Sequence, residues 1–364
     1  MSKHLRLIFS LTMAVFAAVP AANAQYTTTK VKSKHQQYTD SLKAVEYDRI
    51  LPVLGAATYK KGFDIPYPVG LMVNSLWMDQ GLLINNFQLG IKTDNVDIPL
   101  TDADGLIGFG DNRNTSYSFN IRPDVWVFPF LNVYGLFGAG RSKTTVNPIL
   151  FPNGPESKQV NFTSTVDQKI TTMGLGVMGA FGIGPVWLSL DGNWTWNKPE
   201  LLDKAVRVSV FGVRVGHAFV FPNKPERNIA IWAGAMRVKM ASDTRGQIQL
   251  NDAIPQDVWD RKDEVVSGVN EWWDDLSPVE QKLPKNRVIK EVSERLDAKD
   301  GSAIIRYGMD KQVLQEWNGI VGAQFQLNKS WMLRTEWGLF GDRKSALLSL
   351  NYRFLGPKRK EFRK

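Results

Sequence analysis

The 364-residue chain contains no cysteine. That absence excludes a disulfide-stapled scaffold, a thiolate metal site, an iron–sulfur cluster, a cysteine nucleophile and a bacterial lipoprotein anchor. Histidine is almost absent too. There are three, and His4 lies in the opening segment, which leaves His35 and His217. A catalytic base is therefore scarce. No run approaches the ~18 consecutive apolar residues of a membrane-spanning helix. No cofactor motif is found, and no cofactor or metal is expected.

What is present starts with charge. Lys and Arg number 45 against 36 Asp and Glu, a net +9. Such a balance often marks a nucleic-acid partner. The first 24 residues argue against one. A basic start with Lys3 and Arg6 precedes the apolar Leu7–Val19 and then Ala22-Asn23-Ala24. This is the layout of a secretory signal peptide, with cleavage expected before Gln25. Export removes the chain from DNA.

Most of the remaining chain alternates with a period of two, the mark of strands with one apolar and one polar face. In Val186–Trp196 one face carries Val186, Leu188, Leu190, Trp194 and Trp196; Ser189, Asp191, Asn193 and Thr195 lie opposite. Ser116–Phe128 places Tyr117, Phe119, Ile121, Val125 and Val127 on one side, and Ala346–Phe354 does so with Leu348, Leu350, Tyr352 and Phe354. Similar segments near 69–78, 84–92, 131–140, 171–181, 205–219, 228–240, 302–308, 319–327 and 331–340 bring the total to about 12 strands. Short links at 78–81, 128–130, 182–184, 327–330 and 341–344 read as hairpins between antiparallel neighbours. The apolar faces are rich in aromatics near strand ends, and the polar faces carry small, polar and a few charged residues. The expectation is an all-β fold, a transmembrane antiparallel β-barrel with its polar faces turned inward.

The last strand carries a resemblance. Ala346–Phe354 resembles the C-terminal assembly signal of Gram-negative outer-membrane proteins, although Leu355–Lys364 follows it here. Asp124–Gly135, Arg214-Val215-Gly216-His217 and Gly341–Ser345 are similar to stretches in an uncharacterised family of such barrels. The resemblance implies barrel architecture, outer-membrane location, contact with outer-membrane lipids and handling by the assembly machinery through Ala346–Phe354. It implies no catalytic residues.

The domain reading is a signal peptide at 1–24, a polar and helical lead at 25–67, a barrel at 68–354 and a basic tail at 355–364. Asp40 or Ser41 is read as the cap of a short helix in the lead. The tail is expected to meet anionic lipid heads or cell-wall polymers. A helical insert at 241–301 interrupts the barrel. Val258, Val265, Val269, Trp272 and Leu276 recur at helical spacing, and Ser277-Pro278-Val279-Glu280 reads as a helix start. The insert is read first as a solvated cap and second as a plug. Its side is ambiguous. An even count that includes 302–308 puts it with the termini, whereas the rule of short periplasmic turns and long outer loops puts it opposite.

Asp102 and Asp104 resemble the start of a calcium loop, but Leu106 and Arg113 stand where ligands would be needed. Alternation assigns Arg122, Asp124, Asp191, Arg214, Arg237, Lys239, Arg334, Glu336 and Arg353 to the lumen. Arg214 falls inward only if a bulge near Phe211-Gly212 reverses the phase. This basic excess suggests a channel for passive passage of small polar solutes, leaning anionic. The alternative is a non-conducting structural or assembly barrel closed by its ion pairs. A lipid-modifying enzyme built on His217 is the least favoured of the three, and the chain is not expected to be an enzyme.

Overall fold

A computed structural model describes residues 33–152, 159–183, 185–202, 204–240 and 244–359. The expected signal peptide at 1–24, the part of the lead before Ser33 and the tail from Lys360 on lie outside them.

Ten strands close a barrel: β1 (Val69–Lys92), β4 (Asn112–Phe128), β5 (Leu131–Val146), β8 (Ser164–Ile183), β9 (Val186–Pro199), β10 (Val206–Phe221), β11 (Lys224–Met240), β14 (Trp317–Gln326), β15 (Trp331–Phe340) and β16 (Lys344–Phe354). Each pairs antiparallel with the next. Closure comes from β1, which pairs with β16 on one side (Val69↔Phe354) and β4 on the other (Val69↔Val125). A closed ring leaves no wall strand with an unpaired edge, as a membrane requires.

Ten replaces the expected 12 for two reasons. The segments near 69–78 and 84–92 are one strand of 24 residues. No hairpin forms at 78–81, because its polar residues find partners while the strand runs on. Asp79 points outward to Arg113 and Thr115, and Gln80 points inward to Arg343. The second reason is that 302–308 belongs to β13 (Ile304–Val313), which stands beyond the wall.

Past Leu82, β1 leaves the barrel and changes partners, with β13 taking over the edge that β16 leaves at Asp79 (Leu82↔Val313, Lys92↔Ile304). There β2 (Asp97–Asp102) flanks its other edge, and β12 (Thr244–Gln249) flanks β13. A second small sheet joins β3 (Ile107–Phe109), β6 (Pro148–Leu150) and β7 (Val160–Asn161). On these pack α3 (Leu250–Ala253), α4 (Gln256–Asp260), α5 (Lys262–Asp274) and α6 (Pro284–Asp297). Ile91, Leu250, Val269, Val288, Ile289 and Ile305 form the shared core. The insert is thus half of an α/β cap. The Ser277/Glu280 capping box forms, but it starts only a 3-10 turn, and the long helix begins at Pro284. Pro at the first position is compatible with a helix start and supplies no N–H to continue an earlier helix.

Seven wall strands precede the insert, so it lies at the end opposite the termini. The links at the terminal end are short, and all long ones are at the capped end. With β13 outside the wall, the parity argument for the terminal side no longer applies.

The outer wall face is apolar and ends in aromatics. Phe130, Phe181, Phe219, Trp331 and Phe354 are exposed toward the terminal end; Tyr117, Trp194, Trp317, Trp337 and Phe340 are exposed toward the cap. The lead packs at the terminal end. Its helix α1 (Lys34–Lys43) begins earlier than expected, capped by Ser33 and Gln36 rather than by Asp40 or Ser41. Leu42 meets Tyr59 of the short helix α2 (Gly55–Lys60) and Ile65 there, and Tyr38 bonds Asp64. The tail folds onto the lead through Lys358 and Asp48 at 3.2 Å.

Candidate functional site: the barrel lumen

Seven of the nine expected lumen residues are brought together near the terminal half of the barrel. Arg214 on β10 is the centre. Its Nε and Nη2 donate to Glu336 on β15 at 2.7 and 2.9 Å, and its Nη1 donates to Asp191 on β9. Arg334 adds a 2.9 Å bond to Glu336. The chain Asp191–Arg214–Glu336 runs from β9 to β15 past the two intervening strands β11 and β14, so it crosses the lumen as a chord. A second pair, Arg353 to Asp124 at 2.7 Å, is steadied by Asn132. Between the two pairs, the Arg122 guanidinium lies 3.8 Å from the centroid of the Tyr134 ring.

All of these groups are buried or half-buried. Two arginines on one glutamate and one on each aspartate leave each acid matched. Four arginines face three carboxylates, so the layer has one excess positive charge. Charged groups in a narrow low-dielectric space must pair in this way, since a lone buried charge costs several kcal/mol.

Arg237 and Lys239 are not part of the lumen. Arg237 pairs in register with the outward Phe211 and Trp317, and its Nε donates to Glu316 at 2.7 Å. Lys239 is exposed two residues farther along the same face. The inward residues of this stretch are Met236, Val238 and Met240. Arg214 is inward, as expected, but without the bulge. Pairing with β9 is unbroken from Val206 to His217, and Val206, Val208 and Val210 face the lumen with it. Both errors have one cause. Near the capped end the inner face is apolar and the outer face is charged, the reverse of the pattern lower in the wall.

Sequence reasoning missed several members of the layer. Trp232 donates from Nε1 to Glu336 at 2.9 Å, with the Arg334 guanidinium 4.8 Å from its ring centroid. Tyr134, Asn132 and Trp126 are buried beside the other pair. The available signal was the glycine opposite each large residue. Gly176 faces Tyr134 and Gly322 faces Trp232 in register, and a Cβ at either would lie 2.2 or 2.3 Å from the ring. At the capped rim, Arg343 is 1% exposed and donates to Gln80 at 2.9 Å.

Between the layer and the cap lies a vestibule of about 420 Å³. Its floor is Arg122, Asp191, Arg214, Arg334 and Glu336, and its upper wall is rich in methionine and valine. No insert helix lines it among the described residues. Asp102 and Asp104 stabilise a cap turn: Asp104 Oδ1 accepts from Phe87 N–H at 2.9 Å, and Asp102 Oδ1 from Asp104 N–H at 2.9 Å. The His217 ring packs tilted against Phe219 with centroids 4.4 Å apart, and its Nδ1 has no hydrogen-bond partner among the described residues.

No family pattern and no curated relative matches the chain. Among solved structures, it is similar to the β domain of the Bordetella autotransporter BrkA, with 8% identity and a TM-score of 0.35 over 79% of this chain and 100% of that one. The translocator domain of the autotransporter NalP from Neisseria meningitidis gives 11% and 0.32 over 78% and 89%. An outer membrane channel from Pseudomonas putida F1 gives 11% and 0.28 over 80% and 97%. Likeness at this level carries no argument about location, substrate or assembly, and the fold rests on the chain's own strand pairing.

Proposed function

We propose that the chain is a β-barrel of the Gram-negative outer membrane that admits small solutes from its capped end into the vestibule and, at rest, stops them at the Arg214 layer. Support for membrane placement is the closed wall with an apolar outer face between two aromatic bands. From Val69 to Trp77 is about 26 Å along the strand at ~3.3 Å per residue, close to the height of a barrel's apolar band. Beyond the band at the capped end, Lys143, Lys169, Arg207 and Lys239 are exposed on neighbouring wall strands, where anionic lipid headgroups would lie. The termini then face the periplasm, and Ala346–Phe354 enters the membrane with its outward Leu348, Leu350, Tyr352 and Phe354 available to the assembly machinery.

The observation that carries the resting block is the chord Asp191–Arg214–Glu336, with Arg214 only 8% exposed at its side chain. Conductance of the purified chain in planar bilayers is the test. The intact protein is expected to be silent, and Arg214→Ser to give steps. Steady wild-type conductance unchanged in Arg214→Ser overturns the reading. The second reading, passive passage of small anion-leaning solutes, draws on the layer's one excess arginine. It requires open wild-type steps with anion preference, lost in Arg334→Gln.

A further inference from the structure

A second cavity of about 230 Å³ sits in the cap, directly above the vestibule. Thr144, Gln168 and Lys311 line both spaces, so the two adjoin at that seam. The cap cavity is walled by apolar side chains, among them Phe87, Val269 and Ile289. Two polar groups break this wall and lack partners. Ser293 on α6 is 3% exposed, and its Oγ makes no hydrogen bond. Lys311 on β13 is half-buried at the seam, and its ammonium has no ion pair or hydrogen bond among the described residues. Burial pushes its ammonium down to about 8. A cation short of both water and a counter-ion gains from an anionic partner.

An apolar cavity of about 150 Å³ is large enough to hold benzene. The space here is larger by room for a few more carbons, and its single cation lies at one end. We infer that the cap binds a small aryl or alkyl carboxylate, with the hydrocarbon body among Phe87, Val269 and Ile289 and the carboxylate on the Lys311 ammonium at the mouth of the lumen. This goes beyond the resting block and does not require the Arg214 layer to open. Binding and conductance can therefore fail separately.

The probes are 3-phenylpropionate and its neutral counterpart 3-phenylpropanol, titrated calorimetrically into the full chain in lipid nanodiscs, with empty nanodiscs as the blank. Saturable binding of both is expected. Lys311→Met is expected to weaken the acid more than 10-fold and the alcohol less than twofold, because only the acid uses the charge. Val269→Trp, which fills the cavity, is expected to abolish both. Ser293→Leu fills it from α6 and serves if the first variant does not fold. The inference is overturned if the wild type shows no saturable binding, if Lys311→Met binds the acid as tightly as the wild type, or if a folded cavity-filled variant still binds.

Discussion

Arg353 donates to Asp124 at 2.7 Å although their strands are not neighbours. The first wall strand lies between them, and Gly70 occupies the crossing point. A Cβ there would lie 2.6 Å from Asp124 Oδ2 and 2.8 Å from Arg353 Nη1. The pair thus ties the last strand to the second over the seam where the barrel closes. Removing one partner of a buried pair costs about 3–5 kcal/mol, so Arg353→Met is expected to destabilise by that order. Gly70→Ala is expected to cost ~1 kcal/mol or more while the pair is present and less in the Arg353→Met background, because two of the three atoms nearest that Cβ belong to Arg353 and an unpaired Asp124 is freer to turn aside. Urea unfolding of all four forms in lipid vesicles measures the cycle. Equal costs in the two backgrounds would show that Gly70 acts through something else.

The layer and the outer face make opposite demands on mutation. Arg214→Ser breaks the chord, leaving Asp191 without its ion pair and Glu336 with Arg334 and the Trp232 indole. Bilayer conductance is expected to appear, along with a stability loss of several kcal/mol. Arg237→Glu changes the charge by twice as much but on the outer face, where Arg237 pairs with Glu316 at 2.7 Å. It is expected to leave conductance as in the wild type and to cost less than about 1 kcal/mol in unfolding. A change of ion selectivity in Arg237→Glu would return that residue to the pore.

How much of this was legible follows from where hydrophobicity and burial agree. Along Ser116–Phe128 and Ala346–Phe354 they agree, since outward residues are apolar and inner ones polar, and alternation gave the correct phase. Around Val206–Val210 and Met236–Met240 they disagree. The inner wall there borders an apolar vestibule, so the rule inverted Arg237 and Lys239 and invented a bulge for Arg214. The strand count failed because a strand can outlast the barrel: Asp79-Gln80-Gly81 carries turn-forming residues that are bonded by Arg113, Arg343 and Asp342 instead. Arg343 reads as part of a solvent turn, and only the fold shows it tucked inward. Long-range pairs such as Arg214–Glu336, 122 residues apart, leave no local trace beyond the glycines that make room for their neighbours.

Trp232 tests whether the layer is a network or a set of separate pairs. Its indole N–H donates to the same Glu336 oxygen, Oε2, that Arg214 Nε and Arg334 Nη2 reach. Trp232→Phe keeps most of the ring and removes the donor, with an expected loss of about 1–3 kcal/mol. Gly322→Ala pushes on the indole from the neighbouring strand, since a Cβ there would lie 2.3 Å from the ring. The two changes are expected to be less than additive in urea midpoints. Strict additivity would mean that the indole is held by packing and not by Glu336.

The cap core is separate from the wall. Ile91, Val269, Val288 and Ile305 bury one another beyond the rim, while the wall strands satisfy their hydrogen bonds through the ring. A charge placed in that core has no counter-ion and costs several kcal/mol. Val288→Asp is therefore expected to open the cap without opening the wall. Limited proteolysis is expected to cut within 244–303, while the barrel keeps the compact, heat-sensitive migration of a folded barrel on SDS gels. Conductance is expected to stay silent, because the block lies in the Arg214 layer and not in the helices. Conductance that appears when the cap opens would place the gate in the cap; a barrel that unfolds with it would show that β1 and β13 transmit the damage past Leu82.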